Sequence, residues 1–446
     1  RQNVELLRVI PEVDFATDDK PYAIRKAYYA GHGVAANQTY RVTAVAIPEP
    51  ETQAAVLVIY DLQSSLSSVE SFELTPAVVE RLKMLQTELT VEAMDAKLRE
   101  IHRDLESNVT RIFGRFDVAL AFDLVFHSVL RFELCGERLD KGWAEALVIG
   151  DTRCGKSALA KRLIHHYRAG ELITTESASR SGILGGVRQV NREWSTTWGK
   201  LPLNNGRAVV FDEVSGMSTE LISELSGVRS AGVAELAKIQ TERTSARTRI
   251  LWLSNPRNNR SLREWSTGVE AVRDLFGKPE DVARLDVAVG VTSDEVPQAQ
   301  VNKLLQNGHG VEHRYTSDIC HDAVRWAWSR RPEQVRWLPE SEKLCLDAGL
   351  DLASRYSAAI PLVEPNEQRV KLARLATALA ARLFSTSDGQ DVVIHPAHVE
   401  YVRQFLDSVY RRASLSYDVF SRSVVLNEAV PHPEDVVRRL ASYPGL

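Results

Sequence analysis

An apolar run, a glycine-bracketed loop and a helical pattern, in that order, constrain this chain more than any other feature. Ala146-Leu147-Val148-Ile149 leads into Gly150-Asp151-Thr152-Arg153-Cys154-Gly155-Lys156-Ser157, a GxxxxGKS sequence. The run SALAKRLIHHY that follows carries Leu159, Leu163 and Ile164 at helical spacing. Strand, loop and helix in this order predict an α/β fold with a phosphate cradle at the strand's end. The glycines let backbone N–H groups face a triphosphate. Lys156 can reach the β- and γ-phosphates, and the Ser157 hydroxyl can sit on Mg²⁺. A helix starting near Gly155 would turn its positive end toward the same anion.

Hydrolysis of such a ligand needs a metal-holding acid and a group that orients water. Ala208-Val209-Val210-Phe211-Asp212-Glu213 offers both at the end of a second buried strand. Asp212 is expected opposite Ser157 in the Mg²⁺ shell, and Glu213 is expected to polarise the attacking water. In isolation, two acids ending a strand would be ordinary; downstream of the loop they complete a nucleotide engine. A third buried strand, Ile250-Leu251-Trp252-Leu253-Ser254, ends in Asn255-Pro256. Asn255 could hydrogen-bond the attacking water or the γ-phosphate.

The order GDTRCGKS, VVFDE, LSNP and then Ala283-Arg284-Leu285-Asp286 resembles an AAA+ ATPase of the MCM helicase family. In that family an SRFD motif supplies an arginine finger to the neighbouring subunit. This chain keeps the Arg and Asp and lacks the Ser and Phe, which makes Arg284 the finger candidate. Arg111-Ile112-Phe113-Gly114-Arg115-Phe116-Asp117 looks like the family's IYGHED segment, which implies that Ile112 and Gly114 lie near adenine. Glu367-Gln368-Arg369-Val370-Lys371-Leu372 is similar to its RQLE helix and marks Arg369 as a second sensor. The likeness spans roughly residues 105–412. It implies ATP and Mg²⁺ as cofactors, an AAA+ P-loop core with a parallel sheet and a helical lid, and loop contacts from Gly150 through Ser157.

Two inserts carry the expected substrate contacts. Residues 177–187 form a small-residue-rich stretch that reads as a mobile loop and resembles the MCM helix-2 insert. Arg188, Arg192, Trp194 and Trp198 follow it. Residues 230–246 are similar to the family's second insert, a hairpin that projects into the pore of a hexamer. Lys238 there matches a lysine that contacts a DNA phosphate, although an exposed surface lysine is the plain reading of the residue. Arg188 and Arg192 are the alternative DNA contacts.

Composition bounds the rest. The chain has 446 residues, 44% of them hydrophobic, and a net charge of −4. That is enough for several domains and argues against a bulk basic DNA-coating surface. A ring would need positive charge only along its channel. The four cysteines are too scattered for a zinc ribbon or a disulfide framework. No apolar run approaches membrane-spanning length and no leader is visible, so a cytoplasmic location is expected; the missing initiator methionine reads as trimming.

Organisation is expected as a small N-terminal β-module (1–72), a helical linker (73–110), the AAA+ core (111–312), a helical lid (313–413) and a tail or winged-helix start (414–446). Within the first, alternation in 40–45 and 55–60 predicts a hairpin, too short to complete an OB-fold barrel. The functional expectation is an ATP-driven DNA translocase or helicase, a homo-hexamer around single-stranded DNA acting in replication. A protein-remodelling AAA+ machine and a nucleotide-gated DNA clamp remain alternatives.

Overall fold

The computed structural model describes residues 4–9, 25–32, 34, 40–49, 53–64, 72–176, 178–190, 193–237, 241–296 and 312–429. Strands β1 (Glu5–Val9), β2 (Arg25–Tyr29), β3 (Tyr40–Pro48) and β4 (Ala55–Ser64) form one sheet in the order β1-β2-β4-β3. β3 and β4 make an antiparallel hairpin with an irregularity at Thr43/Ala44, and β2 joins β4 in parallel. Among the described residues the sheet is open, with β1 and β3 at its edges.

Helix α1 (Pro76–Leu82) starts at Thr75, whose hydroxyl accepts from the Val78 amide, and α2 (Val91–Leu105) starts at Thr90 in the same way. Apolar spacing predicts one helical stretch over 74–109; instead the chain leaves the helix at 86–90. There the Gln86 side chain donates to the carbonyls of Phe384 and Thr386, and Leu89 is exposed. α2 buries Met94, Leu98, Ile101 and Leu105, one stripe at helical spacing. A π-turn over Glu106–Thr110 then ends on Arg111 in the left-handed region (φ 53°).

Helix α3 (Phe116–Phe126) is buried from Asp117 to Phe126. A small hairpin, β5 (Phe132–Leu134) and β6 (Glu137–Leu139), leads to the central α/β core. The core runs β7 (Glu145–Gly150), α4 (Lys156–Tyr167), β8 (Glu171–Thr174), α5 (Arg180–Ile183), β9 (Gly185–Val190), β10 (Glu193–Trp198), α6 (Lys200–Leu203) and β11 (Ala208–Asp212). It continues through α7 (Thr219–Glu224), α8 (Ser226–Ala231), β12 (Val233–Ala237), β13 (Thr241–Ser245), β14 (Arg249–Ser254), α9 (Gly268–Phe276), α10 (Pro279–Ala283) and β15 (Val287–Val291).

Five strands form the central sheet in the order β15-β7-β14-β11-β8, every neighbouring pair parallel. β7, β11, β14 and β15 are buried at every position. A parallel sheet covered on both faces requires such continuous apolar strands. The stretch expected as a mobile loop is ordered differently. Arg180–Ile183 is one helical turn capped by Ser179, and β9 pairs with β10 from Gly185↔Trp198 to Val190↔Glu193. Gly185 lies at φ 128°, and a Cβ there would come within 2.5 Å of the Thr197 carbonyl oxygen, so the hairpin needs glycine at that point.

The C-terminal part is α11 (Ser317–Trp328), β16 (Val335–Trp337), α12 (Pro339–Arg355), α13 (Gln368–Arg382), β17 (Val392–Ile394), α14 (Pro396–Arg411) and α15 (Tyr417–Ala429). It is helical but for the short parallel pair β16–β17. Its tryptophans pack: Trp326 and Trp328 donate their indole N–H to the carbonyls of Gly389 and Phe126, and Trp337 stacks on Phe132. Of the tail expected over 414–446, α15 lies among the described residues and 430–446 lie outside them.

Asp123 ties the two halves together. Its carboxylate accepts from Arg382 of α13 (2.7 Å) and from the Tyr167 hydroxyl of α4, with Arg382 itself 0% exposed. Asp123→Ala would leave a buried guanidinium without its counter-charge. It should lower unfolding stability by about 3–5 kcal/mol, measured from the shift in the urea midpoint. A loss under about 1 kcal/mol would place the lid's anchor elsewhere.

Candidate active site

Parallel pairing collects the candidate residues at one edge. In the sheet register Ile149 faces Ser254, Gly150 faces Val291 and Asp212 faces Thr174. The loop after β7, the acids ending β11 and Asn255 after β14 therefore share the carboxyl-end edge. β7 lies between the fourth and fifth strands in sequence, a reversal of strand order where open α/β sheets form their crevice.

The P-loop is tightly held. The Asp151 amide donates to the Val291 carbonyl, and a Cβ on Gly150 would lie 2.2 Å from that same oxygen. The Asp151 carboxylate accepts from the Ser261 hydroxyl and the Leu262 amide (3.0 Å each) and from the Ser293 amide, so it anchors the loop to two neighbouring segments. Thr152 and Arg153 are exposed and Cys154 is buried. Gly155 takes φ 82° at the start of α4, which has no side-chain cap. Its first amides are therefore left for an anion.

The Lys156 ammonium turns back on the loop, donating to the carbonyls of Gly150 (2.8 Å) and Asp151 (2.7 Å) and to Asn255 Oδ1 (3.0 Å). Burial pulls its pKa down to about 8. Next to it, the Ser157 hydroxyl donates to Asp212 Oδ1 at 2.7 Å. A hydroxyl and a carboxylate oxygen converging beside a helix start form a hard oxygen set of the kind Mg²⁺ takes alongside phosphate. The donor set fits the ion.

Glu213 follows with φ 61°, a left-handed conformation uncommon for a residue with a side chain. Thr175 holds this turn: its hydroxyl donates to the carbonyls of Asp212 (2.9 Å) and Glu213 (2.7 Å), and its amide donates to Asp212. The Glu213 carboxyl is pushed above its ordinary value by burial, then by the Glu176 and Asp212 carboxylates. Sequence reasoning passed over Thr175. Its signal was position, since it directly follows β8, the strand beside β11.

Ile112 lies against the P-loop: a Cβ on Gly155 would meet its Cγ2 at 2.8 Å. Gly114 (φ 71°) donates its amide to Glu106. Arg115, also missed, is buried and bridges Glu295 and the Thr292 carbonyl just beyond β15. Arg284 and Arg369 stand apart from this cluster. Arg284 ends α10 and bonds Asp281 and the Glu280 carbonyl; Arg369 lies 3.6 Å from Glu137. Among the described residues neither touches the P-loop, Asp212, Glu213 or Asn255. Arg188 pairs with Ser195 in the β9–β10 backbone. Arg192 and Lys238 lie outside the described residues, Lys238 immediately after β12 of the β12–β13 hairpin.

Residues 89–288 match the family model of the MCM P-loop domain. No curated protein matches the chain significantly. No helix among the described residues is long and apolar enough to cross a membrane. The matched segment contains the P-loop, the acidic strand and Asn255 at the edge of the parallel sheet, and both inserts, which carry separate antiparallel hairpins: residues 89–288 form an MCM P-loop domain.

Proposed function

We propose that this protein is an ATP-driven DNA translocase or helicase, working in replication as a homo-hexameric ring that grips single-stranded DNA with the β12–β13 hairpin. The observation that supports it best is the convergence of Lys156, the Ser157–Asp212 pair, Glu213 and Asn255 on one sheet edge inside an MCM-type domain. ATP lies with its phosphates on the uncapped start of α4 and its base toward Ile112 and Gly114. Lys156 exchanges the loop carbonyls for the β- and γ-phosphates. Ser157 and Asp212 would hold Mg²⁺, which would supply positive charge against the triphosphate.

Glu213 orients the attacking water, and the raised carboxyl pKa suits a group that takes a proton. Asn255, already bonded to Lys156, reads the γ-phosphate. Arg284 completes the site of the neighbouring subunit, with Arg369 as a second cation across that interface. Contacts to DNA fall to Lys238 and, in the other insert, to Arg188 and Arg192.

Lys156→Ala removes the direct charge on the phosphates and should abolish ATP binding; ATP affinity within twofold of wild type would show that the loop is misread. Glu213→Gln keeps the shape but not the base. It should bind ATP and lose about 10²-fold or more in turnover, read by steady-state ATPase. Wild-type hydrolysis by this variant would place the base elsewhere.

Single-stranded DNA should stimulate the wild-type ATPase and support strand displacement on a fork. Stimulation by an unfolded protein instead would favour the remodelling reading. Lys238→Ala should lose the DNA-stimulated rate and flatten the salt dependence of single-strand binding, because fewer counterions are released. Normal unwinding with an unchanged salt slope would move the grip to Arg188 and Arg192.

A further inference from the structure

One guanidinium joins the start of the P-loop strand to the arginine proposed to act on the neighbouring subunit. Arg229 lies in α8, just before the β12–β13 hairpin, and is fully buried. Its Nε donates to Glu145 Oε1 at 2.7 Å, its Nη1 to Asp281 Oδ1 at 2.8 Å and its Nη2 to the Asp281 carbonyl at 2.6 Å. The aromatic rings of Trp252 and Phe276 each lie 5.2 Å from its centre. The hub is rigid because all three nitrogens are committed.

Asp281 is shared. Its Oδ1 also accepts from Arg284 Nη1 at 2.9 Å, and its Oδ2 accepts from the Ser223 hydroxyl at 2.7 Å. Arg284 Nη1 donates a second time, to the Glu280 carbonyl. Both protons on that nitrogen are therefore used. Among the described residues Nε and Nη2 carry no hydrogen bond, and the side chain is 25% exposed. A guanidinium held by one terminal nitrogen keeps the two parallel N–H groups of its other edge for bidentate contact with an anion. Asp286 does not compete for it, being bonded to the Glu145 amide and to Arg374.

Charge points the same way. A lone Asp281–Arg284 pair would be neutral and a poor phosphate partner. Here Lys141 lies 3.7 Å from Glu145, so among the described residues the ion pairs of Lys141, Arg229 and Arg284 are made with Glu145 and Asp281 alone. One positive charge is left over, and of the three cations Arg284 is the most exposed.

We propose that Asp281 is a positioning residue for Arg284: it clamps Nη1 so that the Nε–Nη2 edge faces the ATP phosphates of the adjacent subunit, and Arg229 fixes Asp281 from the helix that leads into the β12–β13 hairpin. This rests on the reading of Arg284 as an arginine that acts in trans.

The test uses full-length protein and compares Asp281→Asn, Arg284→Ala and Arg284→Lys for ATP affinity, kcat and rescue in mixed rings. Arg284→Ala should lose about 10³-fold in kcat, and Asp281→Asn up to about 100-fold, both with ATP affinity within threefold of wild type. Lys156→Ala subunits have no working loop but an intact arginine. Mixing them with Asp281→Asn should restore ATPase, as with Arg284→Ala, whereas mixing Asp281→Asn with Arg284→Ala should not.

Arg284→Lys keeps the charge without the two-edged fork and should behave like Arg284→Ala, a result that does not depend on whether Asp281→Asn folds. Wild-type kcat in Asp281→Asn, or failure of Lys156→Ala to rescue it where Arg284→Ala is rescued, would overturn the proposal while sparing the trans reading. So would full activity in Arg284→Lys. Full activity in Arg284→Ala would overturn both.

Discussion

The parallel pairing of β7 with β14 on one side and β15 on the other is the constraint from which the rest of the site follows. It sets the start of the loop beside the end of β15, so that Gly150 packs on the Val291 carbonyl with no room for a side chain. It also brings Asn255 to the Lys156 ammonium. β11, one strand further out, then delivers Asp212 to Ser157. A slip of one residue in any pair would reverse which side chains face each helix layer. Strands this uniformly buried have no solvent-facing alternative, and the register is correspondingly firm.

Much of this was legible because it is local. Loop, strand and helix are adjacent in sequence at 146–167, and an apolar strand ending in Asp212-Glu213 announces itself by composition. The β3–β4 hairpin was readable from alternation. Other features depend on partners that no local pattern shows. Thr175 matters only because β8 pairs with β11. Small residues at 177–187 read as a loop, and no period-two pattern in the stretch that follows announces the β9–β10 pairing. The helix break at 86–90 depends on carbonyls near residue 385, supplied by the distant lid.

Buried charge is handled in two ways. Arg249, fully buried, bonds the carbonyls of Ser128 and Gly206 and lies over Trp328, with no carboxylate partner among the described residues, and its pKa falls to about 9 through burial. Around Glu145, Asp281 and Asp286 the cations instead bond carboxylates, which they outnumber, and are joined into one network. Exchanging a buried ion pair for apolar packing is often neutral or stabilising, so such a network is better understood as fixing the geometry of α8, α10 and the lid relative to β7. Arginine suits that task more than lysine, because its planar fork bonds several elements at once.

Glu213 sits where its backbone would rather not have a side chain. A left-handed residue costs roughly 1–2 kcal/mol more with a β-carbon than without one, and here the turn persists because Thr175 bonds both flanking carbonyls. A laboratory selection for heat resistance alone would therefore be drawn to glycine or asparagine at this position, relieving strain and discarding the carboxylate in one step. With Glu213 in the role proposed for it, the most stable descendants of this chain would be its most inert ones, and a directed-evolution scheme applied to it would need a turnover screen from the first round.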